Sequence, residues 1–97
     1  MLTLKARSRV WLYPGRGGWH FITLPKKHAR MIKASHGIRR GWGSLPVKVT
    51  IGKTTWKTSI FPEHMSSSYV LPVKADVRKK ENIEAGDSVL LTLEVMV

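Results

Sequence analysis

The sequence predicts an all-β fold carrying two short helices: a closed six-stranded small barrel with a pseudo-two-fold internal repeat. Three observations lead there. Six runs of residues alternate apolar and polar side chains, the period of a strand with one buried face. A Leu-Pro pair followed by a basic helical segment occurs twice, at Leu24-Pro25 and again 47 residues later at Leu71-Pro72, each time after an alternating run and before a glycine-bearing loop and another. The last run, Val89, Leu91, Leu93 and Val95, is apolar on part of its second face through Leu90 and Met96, as expected of a central or barrel-sealing strand. Two like halves, about 1–52 and 53–97, cover their open edges best by pairing around a two-fold axis, and that closes the sheet. A chain of 97 residues makes one domain, 1–97, able to bury roughly 65% of its unfolded surface.

Taken in order, Leu2 to Tyr13 places Leu2, Leu4, Ala6, Ser8, Val10 and Leu12 on one face. Thr3, Lys5, Arg7, Arg9, Trp11 and Tyr13 form a basic outer face. Pro14 to Gly18 is a turn, with a fixed φ followed by residues that tolerate positive φ. Trp19 to Thr23 is the second strand. Pro25 suits a helix start, and Lys26 to about Ala34 is helical with Ala29 and Ile32 inward. Residues 36–46 lack any period, so they form the longest irregular loop. Val47 to Ile51 and Thr54 to Phe61 are a hairpin turned at Gly52-Lys53, with Trp56, Thr58 and Ile60 on one face. Glu63 to Ser68 is a polar loop. Tyr69 to Val95 then reads as strand, helix over about Lys74 to Glu81 with Ala75 and Val77 or Arg78 near the core edge, turn at Gly86-Asp87, and final strand.

Charge is distributed unevenly. The net formal charge is +11, and residues 1–62 hold 13 Lys and Arg without one Asp or Glu, against 4 basic and 6 acidic residues in 63–97. A segment with no acid cannot neutralise its own field, so its expected partner is a polyanion, nucleic acid first. There is no cysteine, which excludes disulfides and thiolate metal sites and fits a reducing compartment. Lys5 and Arg7 interrupt the start before an apolar run can build, so neither a signal peptide nor a membrane span is expected; the expected location is the cytoplasm, as a monomer or otherwise.

Trp42 to Val47, Ile51-Gly52, Trp56 to Pro62, Tyr69 to Lys79 and Gly86-Asp87 together resemble a bacterial and archaeal family of small barrels, domain of unknown function nineteen-oh-five, over nearly the whole chain. That resemblance implies a small closed β-barrel and no established activity. The last third, with Leu71-Pro72, a helix bearing Val77-Arg78-Lys79 and Gly86-Asp87, is also similar to the swapped-hairpin module of AbrB- and MazE-type regulators and antitoxins, which bind DNA as dimers. This chain would be a fused version of such a dimer. The enlarged loop from Gly37 to Gly43 and a first helix without acid depart from that module, so none of its contact residues is carried over.

Catalysis has little to build on. Acid-base chemistry needs a carboxylate or histidine beside a partner, and no carboxylate precedes Glu63. His64, Ser66 to Ser68 and Asp76 could be drawn as a triad, but no nucleophile elbow precedes the serines. His20, His28, His36 and His64 follow no metal-ligand spacing, and Gly15 to Gly18 links two strands rather than opening a helix as a phosphate loop does. A non-enzymatic binding module without cofactor or metal is the expectation. Arg39, Arg40 and Trp42 in one loop offer phosphate contacts beside a stacking surface, and Lys26, Lys27, Arg30 and Lys33 extend them along the first helix. The alternative is a pocket at the barrel mouth for a small anion or peptide, ringed by Trp56, Thr58, Ser59, Lys74 and Arg78.

Overall fold

Side chains two apart along six strands converge on one interior in the computed structural model, which describes residues 2–15, 17–36 and 43–96. The elements run β1 (Leu2–Leu12), β2 (His20–Thr23), α1 (Lys26–His36), β3 (Leu45–Ile51), β4 (Thr54–Glu63), β5 (Ser68–Pro72), α2 (Ala75–Glu81) and β6 (Ser88–Val95). Every ladder is antiparallel, and the strands close in the order β1-β2-β5-β4-β3-β6. Closure gives every strand a paired neighbour on each side along part of its length.

That order is unchanged when β1 is exchanged with β4, β2 with β5 and β3 with β6. Strands exchanged in this way pair directly at two places, β2 with β5, where Thr23 lies opposite Val70, and β3 with β6, where Val49 lies opposite Leu93. Leu24 and Leu71 are both buried in the same core, and the backbone N–H of Leu24 donates to the Tyr69 carbonyl beside the Ile22–Leu71 pair.

Strand β1 serves two neighbours. Leu2 to Arg9 pair with β6, whereas Val10 to Leu12 pair with β2. Val10 marks the handover: its N–H donates to the Asp87 carbonyl and its own carbonyl accepts from Gly86 N–H. Ile22, Ile32, Val49, Ile60, Leu71 and Val95 are fully excluded from water and fill the barrel. Each such side chain contributes about 1.5–3 kcal/mol by leaving water.

The helices begin differently after their Leu-Pro pairs. Lys26 opens α1 directly, with the Pro25 carbonyl accepting from the N–H groups of His28 and Ala29. In the second half Pro72 still belongs to β5, the Val73 N–H donates to the His20 carbonyl, and α2 starts only at Ala75. Asn82 ends α2 in the left-handed conformation, its N–H directed at the carbonyls of Arg78 and Lys79.

Strand β6 pairs with β1 on one side and β3 on the other, as expected, with Leu90 and Met96 exposed on the outside of the barrel. Two expectations about faces need correction. Ala75 is exposed and Val77 alone buries the inner side of α2. Leu12, expected inside, is exposed at the end of β1.

Candidate functional site

The outward row of β1 is the first part of the site. Period two sends Lys5, Arg7 and Arg9 to the exterior, about 6.7 Å apart, and all three are exposed. Across the β1–β6 ladder they face Thr92, Leu90 and Ser88, so no carboxylate stands directly opposite. The row continues with Trp11 and Tyr13.

Helix α1 adds to this surface. It buries His28, Ala29 and Ile32 and turns Lys26, Lys27, Arg30 and Lys33 outward, with no acid in its first turn. His28 fixes it against β1 through a bond from Nε2 to the Lys5 carbonyl, 3.0 Å. A carbonyl only accepts, so Nε2 carries the proton.

The second part is an aromatic cluster centred on Phe21 of β2. Trp11, its partner across the β1–β2 ladder, lies 5.3 Å away between ring centroids. Trp19 stacks on Phe21 at 6.1 Å with 9° between the planes, and Tyr13 meets it edge-on at 6.1 Å. These are the offset and edge geometries that aromatic quadrupoles favour. Trp11 is held by donating Nε1–H to Thr23 Oγ1 at 2.9 Å. The others are open to water: Trp19 is 58% exposed, Tyr13 51% and Phe61 43%.

Tyr13, Trp19, Phe21 and Phe61 line an apolar groove of about 390 Å³. Val70 and Pro72 of β5 are its floor, with Tyr13, Trp19 and Phe21 on the β2 side and Phe61 on the β4 side. Contiguous exposed apolar surface of this kind marks a binding face more often than chance solvation does.

A smaller groove of about 220 Å³ lies against the first and shares Trp19 and Pro72 with it. Its other lining includes His20, Lys74 and Arg78. His20 Nδ1 is 2.7 Å from the Gly18 carbonyl and therefore donates to it, which leaves Nε2 as the ring's remaining polar atom. Arg78 donates Nε–H to the Val73 carbonyl at 3.1 Å, so one bond orients the guanidinium while its terminal nitrogens stay outside that contact.

The residues expected from sequence are distributed as follows. Lys26, Lys27, Arg30 and Lys33 share the exposed side of α1, while Arg39, Arg40 and Trp42 lie outside the described residues. The five residues of the alternative pocket do not converge. Trp56 packs half-buried against the filled core and Thr58 follows it on the inward face of β4, whereas Ser59 alternates outward. Lys74 and Arg78 share their groove with Trp19 and His20 instead. The aromatic cluster was missed. Outward parity for Trp11 and Tyr13 was readable, but nothing local told that β2 and β5 would bring Phe21, Trp19 and Phe61 beside them.

Two members of the drawn triad are engaged with other partners. Ser66 sits in the β4–β5 turn, donating its N–H to Glu63 Oε1 at 3.0 Å, and Asp76 on α2 accepts the N–H of Val77 at 2.9 Å. Hydrogen bonding from the Ser66 side chain first, then from backbone N–H groups, holds the Glu63 carboxyl below its ordinary range. Among the described residues no three His, Asp or Glu side chains gather as a metal site, and no helix is long and apolar enough to cross a membrane.

A filled antiparallel barrel of six strands with two inserted helices defines a small closed β-barrel domain. Residues 7–93 match the family model described as a domain of unknown function (DUF1905), and the chain belongs to that family. Among curated proteins none matches it.

Proposed function

We propose that this domain is a non-enzymatic binding module for nucleic acid, held along the outer surface of β1 and α1. The observation that supports it best is the row Lys5, Arg7, Arg9, Trp11 and Tyr13, three cations in register leading into an exposed aromatic cluster on one strand. Cations placed this way neutralise successive phosphates and release the counterions condensed on them, while aromatic rings offer faces on which bases stack. The acid-free composition of residues 1–62 removes competing carboxylates from the same half of the chain. Lys26, Lys27, Arg30 and Lys33 widen the positive surface beyond the strand.

The test is a fluorescence anisotropy titration of the full chain with labelled single- and double-stranded DNA and RNA at two salt concentrations. Binding should weaken with a log-log slope of several units, and alanine at Lys5, Arg7 and Arg9 together should reduce that slope by about three. Absence of binding to every one of these probes at low salt overturns the proposal.

A further inference from the structure

We infer that the aromatic groove and the Lys74–Arg78 groove form a single nucleotide subsite, in which an unpaired base stacks against Trp19 and its phosphate is held by Lys74 and Arg78. The inference rests on the nucleic-acid reading above and names which form of nucleic acid that surface selects.

Trp19 is the hinge of the argument because it lines both grooves, apolar on one side and cationic on the other. The apolar groove has the volume of a small ligand site, with aromatic side walls and Pro72 beneath them. Lys74, exposed, supplies a point charge, and the guanidinium of Arg78, oriented by its bond to Val73, supplies a planar fork suited to phosphate oxygens. No acid lines either groove. Glu63, two residues beyond Phe61 on β4, is occupied with the Ser66 N–H, and Asp76 is occupied with that of Val77. An apolar wall joined to a pair of cations matches the two chemistries of a nucleotide, a flat π-face and an anionic oxygen cluster.

The same geometry selects against duplex. Within a double helix each base face is covered by its neighbours, so only an unpaired base can lie on an indole. Gly17 helps to hold the indole in place: its backbone has φ +94°, and a Cβ there would come within 3.1 Å of Trp19 Cδ1.

The experiment compares the full-length wild type, Trp19→Ala, Trp19→Phe and Lys74→Ala, using oligothymidylate, oligouridylate, a mixed duplex and a proline-rich peptide as probes. Trp19 is exposed, so these variants should retain the wild-type circular dichroism spectrum. Expected are preference for both single strands over duplex, a loss of about tenfold or more in single-strand affinity for Trp19→Ala with duplex affinity unchanged, and near-complete retention in Trp19→Phe. Lys74→Ala should lower the single-strand salt slope by about one. Equal binding of single strand and duplex, insensitive to Trp19, overturns the subsite and leaves nucleic-acid binding along β1 standing. Trp19-dependent binding of the proline-rich peptide, with oligonucleotide affinity indifferent to Trp19, assigns the groove to a peptide and overturns the subsite also. No oligonucleotide binding at low salt overturns both.

Discussion

Glu81 Oε2 accepts the hydroxyl of Thr54 at 2.6 Å and the backbone N–H of Lys53 at 3.2 Å, so the last turn of α2 clamps the tip of the β3–β4 hairpin. Gly52 completes the clamp. Its φ is +58°, and a Cβ there would collide with the Glu81 carboxylate. Glu81→Ala should cost about 1–3 kcal/mol, the range for removing a charged acceptor from two donors. Gly52→Ala should cost at least as much, since it adds left-handed strain to the collision. Urea unfolding measures both, and a Gly52→Ala variant as stable as wild type would contradict the contact.

Ser68 is fully buried and donates Oγ–H to the Leu24 carbonyl at 2.7 Å, joining β5 to the residue that leads into α1. Ser68→Ala leaves that carbonyl without its side-chain donor and should destabilise by about 1–3 kcal/mol. A drop in the thermal midpoint of several degrees is expected, with the circular dichroism spectrum preserved below it.

How much of this was legible follows from what each level of structure depends on. Alternation in β1, β3, β4 and β6 and the paired Leu-Pro signals are local, so the inward positions of Val10, Val49, Ile60 and Leu93 and the closed barrel could be read from order and period alone. The clamp on Gly52 could not. It joins residues that are distant in sequence, and the turn reads equally well without it. The grooves were hidden for the same reason: Phe21 meets Pro72, and Phe61 meets Val70, only because β5 inserts between β2 and β4. Sequence reading grouped Lys74 and Arg78 with Trp56 by shared family motifs, whereas ladder register sends Trp56 inward and seats α2 beside Trp19.

Burial raises the Tyr69 phenol above its ordinary value near 10. The unfolded phenol ionises first as alkali is added, so the stability it contributes is complete below about pH 10 and is lost as pH rises through the folded value. Urea midpoints measured from pH 9 upward should fall more steeply for wild type than for Tyr69→Phe. Parallel slopes would mean that other groups govern the alkaline limit.

Gly17→Ala separates fold from site. The added methyl would lie 3.1 Å from Trp19 Cδ1, so the ring must shift by a few tenths of an ångström, and alanine at φ +94° adds backbone strain, while the barrel core lies elsewhere. Expected are weaker single-strand binding, by a smaller factor than for Trp19→Ala, and a change in the Trp19 indole N–H resonance, with most of the stability retained. Unaltered binding with an unaltered indole signal would contradict the packing of Trp19 on Gly17.

The most direct measurement is residue-resolved. An isotope-labelled full chain titrated with a single-stranded oligonucleotide at low salt should show amide and side-chain shifts concentrated at Lys5, Arg7, Arg9, Trp11, Trp19, Phe21, Lys74 and Arg78. The exposed residues of the β3–β4 hairpin, Lys48 and Lys57 among them, should stay still. Shifts that avoid β1 and the Trp19 grooves, or no shifts at all, would contradict the account.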